Sequence, residues 1–359
     1  MKVAICDIHI RSCMGDLDRT WEALLTGKSG LSKNLMSPPF DVYPVGMVPG
    51  LDGEIGSADR LDKLIALTIG DASAFPAAGD LIVATTKGAP DELVAAPEGP
   101  WPGQPWNLGA MVADRLGVTG RISTVSAACA SGTIAIINAA QQIAARQSRV
   151  VGVFGIDILS RFVMSGFAKL QALSKKVCRP FDAGRDGLAL GEGAGFMVLA
   201  SEEYARDHNM AILATVDAWG SSCDASHITA PCRNASGLIR TLKQVMSAGV
   251  NIAAVNAHGT GTKFNDAMEM VALREVFPRG VTFHGVKGAI GHCLGAAGVI
   301  EAAVAVKSLE NRTIPPSVGL LEPEMDGITG KEPQTIGQGS VISCNSGFGG
   351  INAAILLNK

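Results

Sequence analysis

An α/β fold in two blocks, with mainly parallel sheets covered by helices, is what this sequence predicts, on three observations. Apolar runs of strand length alternate with Ala-rich segments of helical length along the 359 residues, as in strands connected through helices. Hydrophobic residues make up 47% of the chain, charged residues only 18% and aromatics 5%, with 43 glycines. Helices buried on several sides need such small side chains and few charges. Finally, one strand block opens at Met1 and a second near Ala211, setting expected halves at residues 1–209 and 210–359.

Taken in order, Lys2–Cys6 is the first strand and Asp16–Leu25 the first helix. The strand Asp80–Thr85 lies between the helical patterns Ala58–Ile69 and Trp106–Leu116. Asp91–Gly103, rich in Pro and Gly, reads as a surface loop. The β-branched strand Ile122–Ser126 runs into the helix Ser131–Ala145, and the strands Val150–Phe154 and Gly195–Ala200 complete the first block. In the second block the strands Ile212–Ala218, Ala253–Ala257, Val281–His284 and Val341–Asn345 alternate with helices at Ala235–Ala248, Asp266–Val276 and Ala296–Leu309. Ile122 to Ala145 is uncharged and long enough to span a membrane. It carries Ser, Thr, Asn and Gln throughout and changes from strand to helix pattern midway, so a span is rejected.

The formal net charge is −3 and Lys/Arg do not cluster, which argues against a nucleic-acid surface. Eight cysteines, at 6, 13, 129, 178, 223, 232, 293 and 344, form no Cys-x-x-Cys pair and no zinc spacing. They read as reduced thiols of a cytoplasmic protein, with no resident metal expected. The N-terminus lacks the long apolar region of a signal peptide.

Cys129 ends a strand and precedes a helix of small side chains, where free backbone N–H groups and the helix dipole favour a thiolate. It is either an acyl-carrying nucleophile or a buried structural thiol. A second cluster delivers His258 into Gly-Thr-Gly-Thr262, followed by Asn265, Asp266 and Glu269; without a Gly-Lys-Ser/Thr ending it is not a phosphate loop. A third Gly-rich loop offers Lys287 and His292 and leads into a helix, and a fourth, Cys344 to Asn352, turns around Phe348. Arg179 to Gly195 is Gly-rich but is followed by a strand rather than a helix, so it reads as structural turns.

One Cys, two His and one Lys suit a particular reaction. The thiolate takes an acyl group from a thioester, and a second thioester bearing a β-carboxylate then loses CO2. Two imidazole N–H groups stabilise the enolate oxygen. The enolate carbon attacks the Cys-bound carbonyl. A Cys–His hydrolase would leave the second His and the Lys without a task.

On these clusters, and on Trp21 to Gly30, the chain resembles the β-ketoacyl-acyl carrier protein synthases of the thiolase-like condensing-enzyme superfamily over nearly its whole length. The resemblance implies a five-layered αβαβα fold of two pseudo-repeated halves. It implies Cys129 as nucleophile, His258 and His292 at the enolate, and Lys287 paired with Glu269 setting the electrostatics around His292. The backbone N–H groups of Cys129 and Phe348 would form the oxyanion hole. Thr260 and Thr262, with Thr229, match hydroxyls that hold a phosphopantetheine arm. Phe348 matches a gate and Phe167 a residue lining the acyl pocket. No cofactor is implied beyond substrates carried on acyl carrier protein. A homodimer, or a heterodimer with a related ketosynthase subunit, is expected, with no nucleic acid or membrane partner.

The chain also departs from the family. The usual Asn-Ser-Phe-Gly-Phe-Gly-Gly is one residue short here, Asn345 to Gly350 with a single Phe. Cys6 to Cys13 replaces a Gly-rich turn, Leu173 to Phe181 is contracted, and the region before Cys129 is shortened around Gly53–Pro76 and Ala89–Gly103. Other readings are a chain-length-factor-like partner without condensing activity, a coenzyme A-dependent thiolase using Cys344, and a free-standing thioesterase or decarboxylase.

Overall fold

The apolar runs form ten strands of one mixed sheet in a computed structural model that describes residues 2–70, 75–95, 98, 103–246 and 249–359. The strands are β1 (Val3–Arg11), β2 (Asp80–Ala84), β3 (Ile122–Val125), β4 (Val150–Asp157), β5 (Gly193–Ser201), β6 (Ala214–Cys223), β7 (Ile252–Asn256), β8 (Phe283–His284), β9 (Ser340–Gly347) and β10 (Ile351–Asn358). From the centre outward the first five run β1-β5-β4-β2-β3, and the last five repeat that order as β6-β10-β9-β7-β8. The antiparallel pair β1·β6, with Val3 opposite Val216 and Ile5 opposite Ala214, joins the two sets.

Pairing corrects the expectation of mainly parallel sheets. In each set the long central strands pair antiparallel (β1·β5, β5·β4; β6·β10, β10·β9), and only the outer ones pair parallel (β4·β2, β2·β3; β9·β7, β7·β8). Strands buried on both faces read as continuous apolar runs in either direction, so composition could not tell the two apart.

The helices are α1 (Leu17–Leu25), α2 (Ala58–Ile69), α3 (Pro105–Leu116), α4 (Ser131–Ala144), α5 (Arg161–Lys169), α6 (Ser236–Val245), α7 (Lys263–Val276) and α8 (Ala297–Asn311). Three cores separate five layers. Leu61 and Leu64 of α2 and Leu108 and Val112 of α3 cover one outer face against Leu81, Phe154 and Phe196. Leu238 and Leu242 of α6 and Leu273 of α7 cover the other against Val255, Ile342 and Leu356. Ile136 and Ile143 of α4 and Val299, Ile300 and Val304 of α8 fill the middle between Ile82, Val153 and Met197 on one side and Val341 and Ile355 on the other. This is the αβαβα arrangement, and its two central helices explain the low charge and small side chains.

Among the elements numbered above, β10 and α5 were not foreseen from sequence; the N-cap of α5, Ser160, accepts from Val163 N. Part of the expected loop Asp91–Gly103 is instead a short helix, Pro90–Ala95, and residues 96–97 and 99–102 lie outside the described residues, as do 71–74 and 247–248. The turns before β5 are structural as expected: Asp182 accepts from Gly184, Leu321 and Glu322 N–H groups, and Arg185 donates to the Asp182 carbonyl. All eight cysteines are free thiols. Among the described residues no helix is long and apolar enough to cross a membrane.

Candidate active site

Every chemically informative turn leaves the C-terminal end of a strand with at least one parallel neighbour, the edge where α/β sheets commonly bind ligands. Cys129 follows β3, His258 follows β7, Lys287 and His292 follow β8, and Phe348 follows β9. The repeat makes Cys129 and His292 counterparts, since each lies between the third strand of its set and a central helix.

Cys129 precedes α4, whose cap residue Ala130 offers no side-chain acceptor. Ala128 is held at φ 48°, a conformation that non-glycine residues seldom adopt and that strained functional turns often use. Ser131 Oγ stabilises the turn by accepting from Ala127 N (2.8 Å) and donating to Ala128 O (2.6 Å). The Phe348 N–H faces the Cys129 thiol and favours its thiolate form. A Cβ on Gly347 would sit 3.1 Å from Cys129 N and 3.2 Å from Ala130 N, so the shortened loop meets the nucleophile turn where only glycine fits without displacement.

The imidazoles of His258 and His292 are 5.2 Å apart and nearly perpendicular, at 82°. Their ligand-type nitrogens and Cys129 Sγ all lie within 4.8 Å of one another. His258 Nδ1 accepts from Asn345 Nδ2 (3.0 Å) and faces Lys287 Nζ (3.2 Å), while His292 Nδ1 accepts from Leu294 N (3.3 Å). Each ring therefore carries its proton on Nε2, and His292 Nε2 is buried without a partner. Burial first, and then the Lys287 charge, hold both imidazoles well below the ordinary histidine range, so they act as neutral donors. Among the described residues this trio is also the set of ligand-type side chains close enough to grip a metal ion.

The thiol departs from expectation. Burial pushes Cys129 up to about 11, outweighing the Lys287 charge and the Phe348 N–H that pull it down. The helix start predicted from sequence is present, and the fold adds a burial that raises the thiol.

Lys287 also differs from the reading by resemblance. Its ammonium pairs with Glu301 of α8, not with Glu269, and it donates to the His258 carbonyl. Glu301 accepts a second hydrogen bond from Asn345 Nδ2 (2.6 Å), tying lysine, glutamate, asparagine and His258 into one buried network. Glu269 instead supports the backbone: it accepts from His258 N and Gly259 N (both 2.7 Å) and from Asn265 Nδ2 (2.8 Å). Asp266 does likewise for Thr260 N (2.9 Å) and Gly261 N (3.0 Å), so the two carboxylates of α7 shape the turn that carries His258.

A cavity of about 440 Å³ connects the trio to the exterior, lined by Thr229, Thr260, Thr262, Phe167 and Phe348. Thr260 and Thr262 hydroxyls lie 2.8 Å apart. Phe167 of α5 and Phe348 stack at 5.6 Å between centroids. The structure thus brings together every site residue expected from sequence except Glu269, which lies behind the His258 turn. Sequence reasoning missed Glu301 and the role of Asn345. A lone acid in the apolar run Ala297 to Val306 was the available signal for Glu301.

Comparisons agree with the geometry. The family model described as beta-ketoacyl synthase, N-terminal domain, matches residues 55–205, and beta-ketoacyl synthase, C-terminal domain, matches residues 213–321. The chain belongs to the β-ketoacyl synthase family. It is 30% identical over 409 residues to 3-oxoacyl-[acyl-carrier-protein] synthase 2 of Vibrio cholerae, covering 100% of this chain and 99% of that one. It is 35% identical over 255 residues to Nodulation protein E of Rhizobium meliloti; that match covers 68% of this chain but only 63% of the relative's length. Among solved structures, the ishigamide ketosynthase/chain length factor aligns with TM-score 0.89 at 25% identity, covering 100% of this chain and 99% of that one.

Proposed function

We propose that this chain is a β-ketoacyl synthase: it joins an acyl group held on Cys129 to a malonyl group by decarboxylative condensation, both delivered as thioesters of an acyl carrier protein. The observation that carries this reading is the convergence of one thiol and two Nε2-protonated imidazoles at a cavity of about 440 Å³ that opens to the exterior. The relatives' name, 3-oxoacyl-[acyl-carrier-protein] synthase, supports the substrate class.

In the first half-reaction the Cys129 sulfur attacks the acyl thioester carbonyl, and the thiol proton leaves with the departing pantetheine sulfur. The N–H groups of Cys129 and Phe348 hold the tetrahedral oxyanion, the Phe348 N–H turning from sulfur to oxygen. In the second, malonyl carboxylate departs as CO2 and its electron pair passes to the thioester carbonyl, where the His258 and His292 Nε2–H groups receive the developing charge. The enolate carbon then attacks the acyl carbonyl on Cys129. Collapse expels the thiolate, which takes up one proton from solvent. The Lys287 ammonium, held by Glu301, keeps the imidazoles unprotonated, and it holds His258 in register. Thr260, Thr262 and Thr229 line the arm, and Phe348 stacked on Phe167 gates the acyl pocket. No further cofactor enters this scheme.

The intact trio favours an active synthase over an inactive chain-length-factor-like subunit. The pair named in the ishigamide structure supports assembly with a related ketosynthase-like subunit. Intact-mass analysis after exposure to acyl carrier proteins of graded chain length tests the reading. One acyl mass on Cys129, absent in Cys129→Ala, is expected; no adduct with any chain length would refute it.

A further inference from the structure

Asp157 closes β4 and is fully buried, yet its carboxylate receives five hydrogen bonds. Oδ1 accepts from Thr85 Oγ1 and Lys87 Nζ (both 2.9 Å), and Oδ2 accepts from Thr86 N (3.0 Å), Thr86 Oγ1 (2.8 Å) and Gly295 N (2.7 Å). The last of these crosses between the repeated sets, from β4 of the first to the turn that follows His292 in the second. That turn is under constraint. Leu294 lies at φ 50°, its N–H fixes the His292 tautomer, and a Cβ on Gly295 would sit 2.7 Å from Asp157 Oδ2.

The repeat contains a counterpart. Asn345 lies on β9, which matches β4, and it too crosses the sets: its Oδ1 accepts from Thr133 of α4 (2.6 Å) while its Nδ2 holds His258. One fourth-strand side chain thus holds each catalytic imidazole, Asn345 by direct contact and Asp157 through the Gly295 turn.

We infer that Asp157 is the positioning residue for His292, fixing the Leu294–Gly295 turn and with it the ring's orientation and tautomer, with Lys87 as its counter-charge. The Lys87 ammonium serves the ring a second way, because its charge disfavours a protonated His292. An asparagine cannot replace the carboxylate. Donors occupy both oxygens, so either orientation of the amide sets an NH2 against N–H or O–H groups.

The role in condensation rests on the function proposed above, so the test is arranged to separate the two. Acyl loading of Cys129, decarboxylation of malonyl carrier protein by the acylated enzyme, and the ring 15N shifts of His292 are measured in wild type and Asp157→Asn. Decarboxylation should fall about tenfold to a hundredfold while loading changes less than about threefold, because His292 acts only in the second step. The 15N spectrum should change from one tautomer to a mixture. Equal losses in both steps, or an unchanged tautomer, would overturn the inference. A wild type that neither loads nor decarboxylates would refute the proposed function, whereas the 15N comparison would still decide what Asp157 does. If Asp157→Asn shows no cooperative melt, Lys87→Met retains the other four donors and undergoes the same measurements. Its decarboxylation should fall about three- to tenfold with loading spared, and equal loss in both steps would again overturn the assignment.

Discussion

Lys287 and Glu301 are both about 1% exposed, so replacing Glu301 by Gln strands an ammonium in the core. Loss of one member of a buried ion pair costs about 3–5 kcal/mol, because the remaining charge stays desolvated. Gln keeps the volume and can still accept one hydrogen bond, which places the expected loss near the lower limit, about 3 kcal/mol. Lys287→Met strands the carboxylate instead, with only Asn345 Nδ2 left to it, and should cost a similar amount. The double variant removes both charges, so the two losses should not add. A coupling of about 2–3 kcal/mol is expected. The control is Glu269→Gln. Backbone N–H groups and Asn265 fill its oxygens, so its coupling to Lys287 should stay below about 1 kcal/mol. Urea unfolding with unchanged m-values measures all of these. Coupling of Lys287 to Glu269 equal to or larger than its coupling to Glu301 would refute the assignment of the network.

Further outcomes follow from the same geometry. With the Cys129 thiol pushed up to about 11, its alkylation by iodoacetamide should accelerate about tenfold per pH unit from 7 to 10; a plateau beginning below pH 9 would contradict this. Because both imidazoles are held neutral well below 6.5, malonyl decarboxylation should stay flat from pH 8 to below 6, and a midpoint near 6.5 would count against neutral donors. Gly347→Ala forces a Cβ to 3.1–3.2 Å from Cys129 N, Ala130 N and Ala127 O, so condensation should slow about tenfold to a hundredfold; unchanged turnover would show that the loop yields freely.

Cys129, His258, Lys287 and His292 were legible because each stands at a strand end in a run of small residues that packing alone does not call for. Glu301 and Asp157 were not, since each is a single acid inside an apolar element and its partners lie more than a dozen residues away. The resemblance paired Glu269 with Lys287, while its carboxylate turns toward backbone N–H groups. The covering of strands by helices followed from their alternation, and the five layers from the family resemblance. The antiparallel centre did not, and Ile351–Asn358, with Ala-Ala in its middle, carries little strand signal. The raised thiol shows the limit of reading electrostatics locally: sequence reveals the helix start, and only the fold reveals the burial that raises the thiol.

The most direct measurement follows acylated enzyme supplied with carboxyl-labelled malonyl carrier protein, counting labelled CO2 against β-ketoacyl product. Equal amounts of each, with Cys129 returned to the free thiol and both lost in His292→Ala, are what this account predicts. CO2 released without product, or product formed by Cys129→Ala, would contradict it.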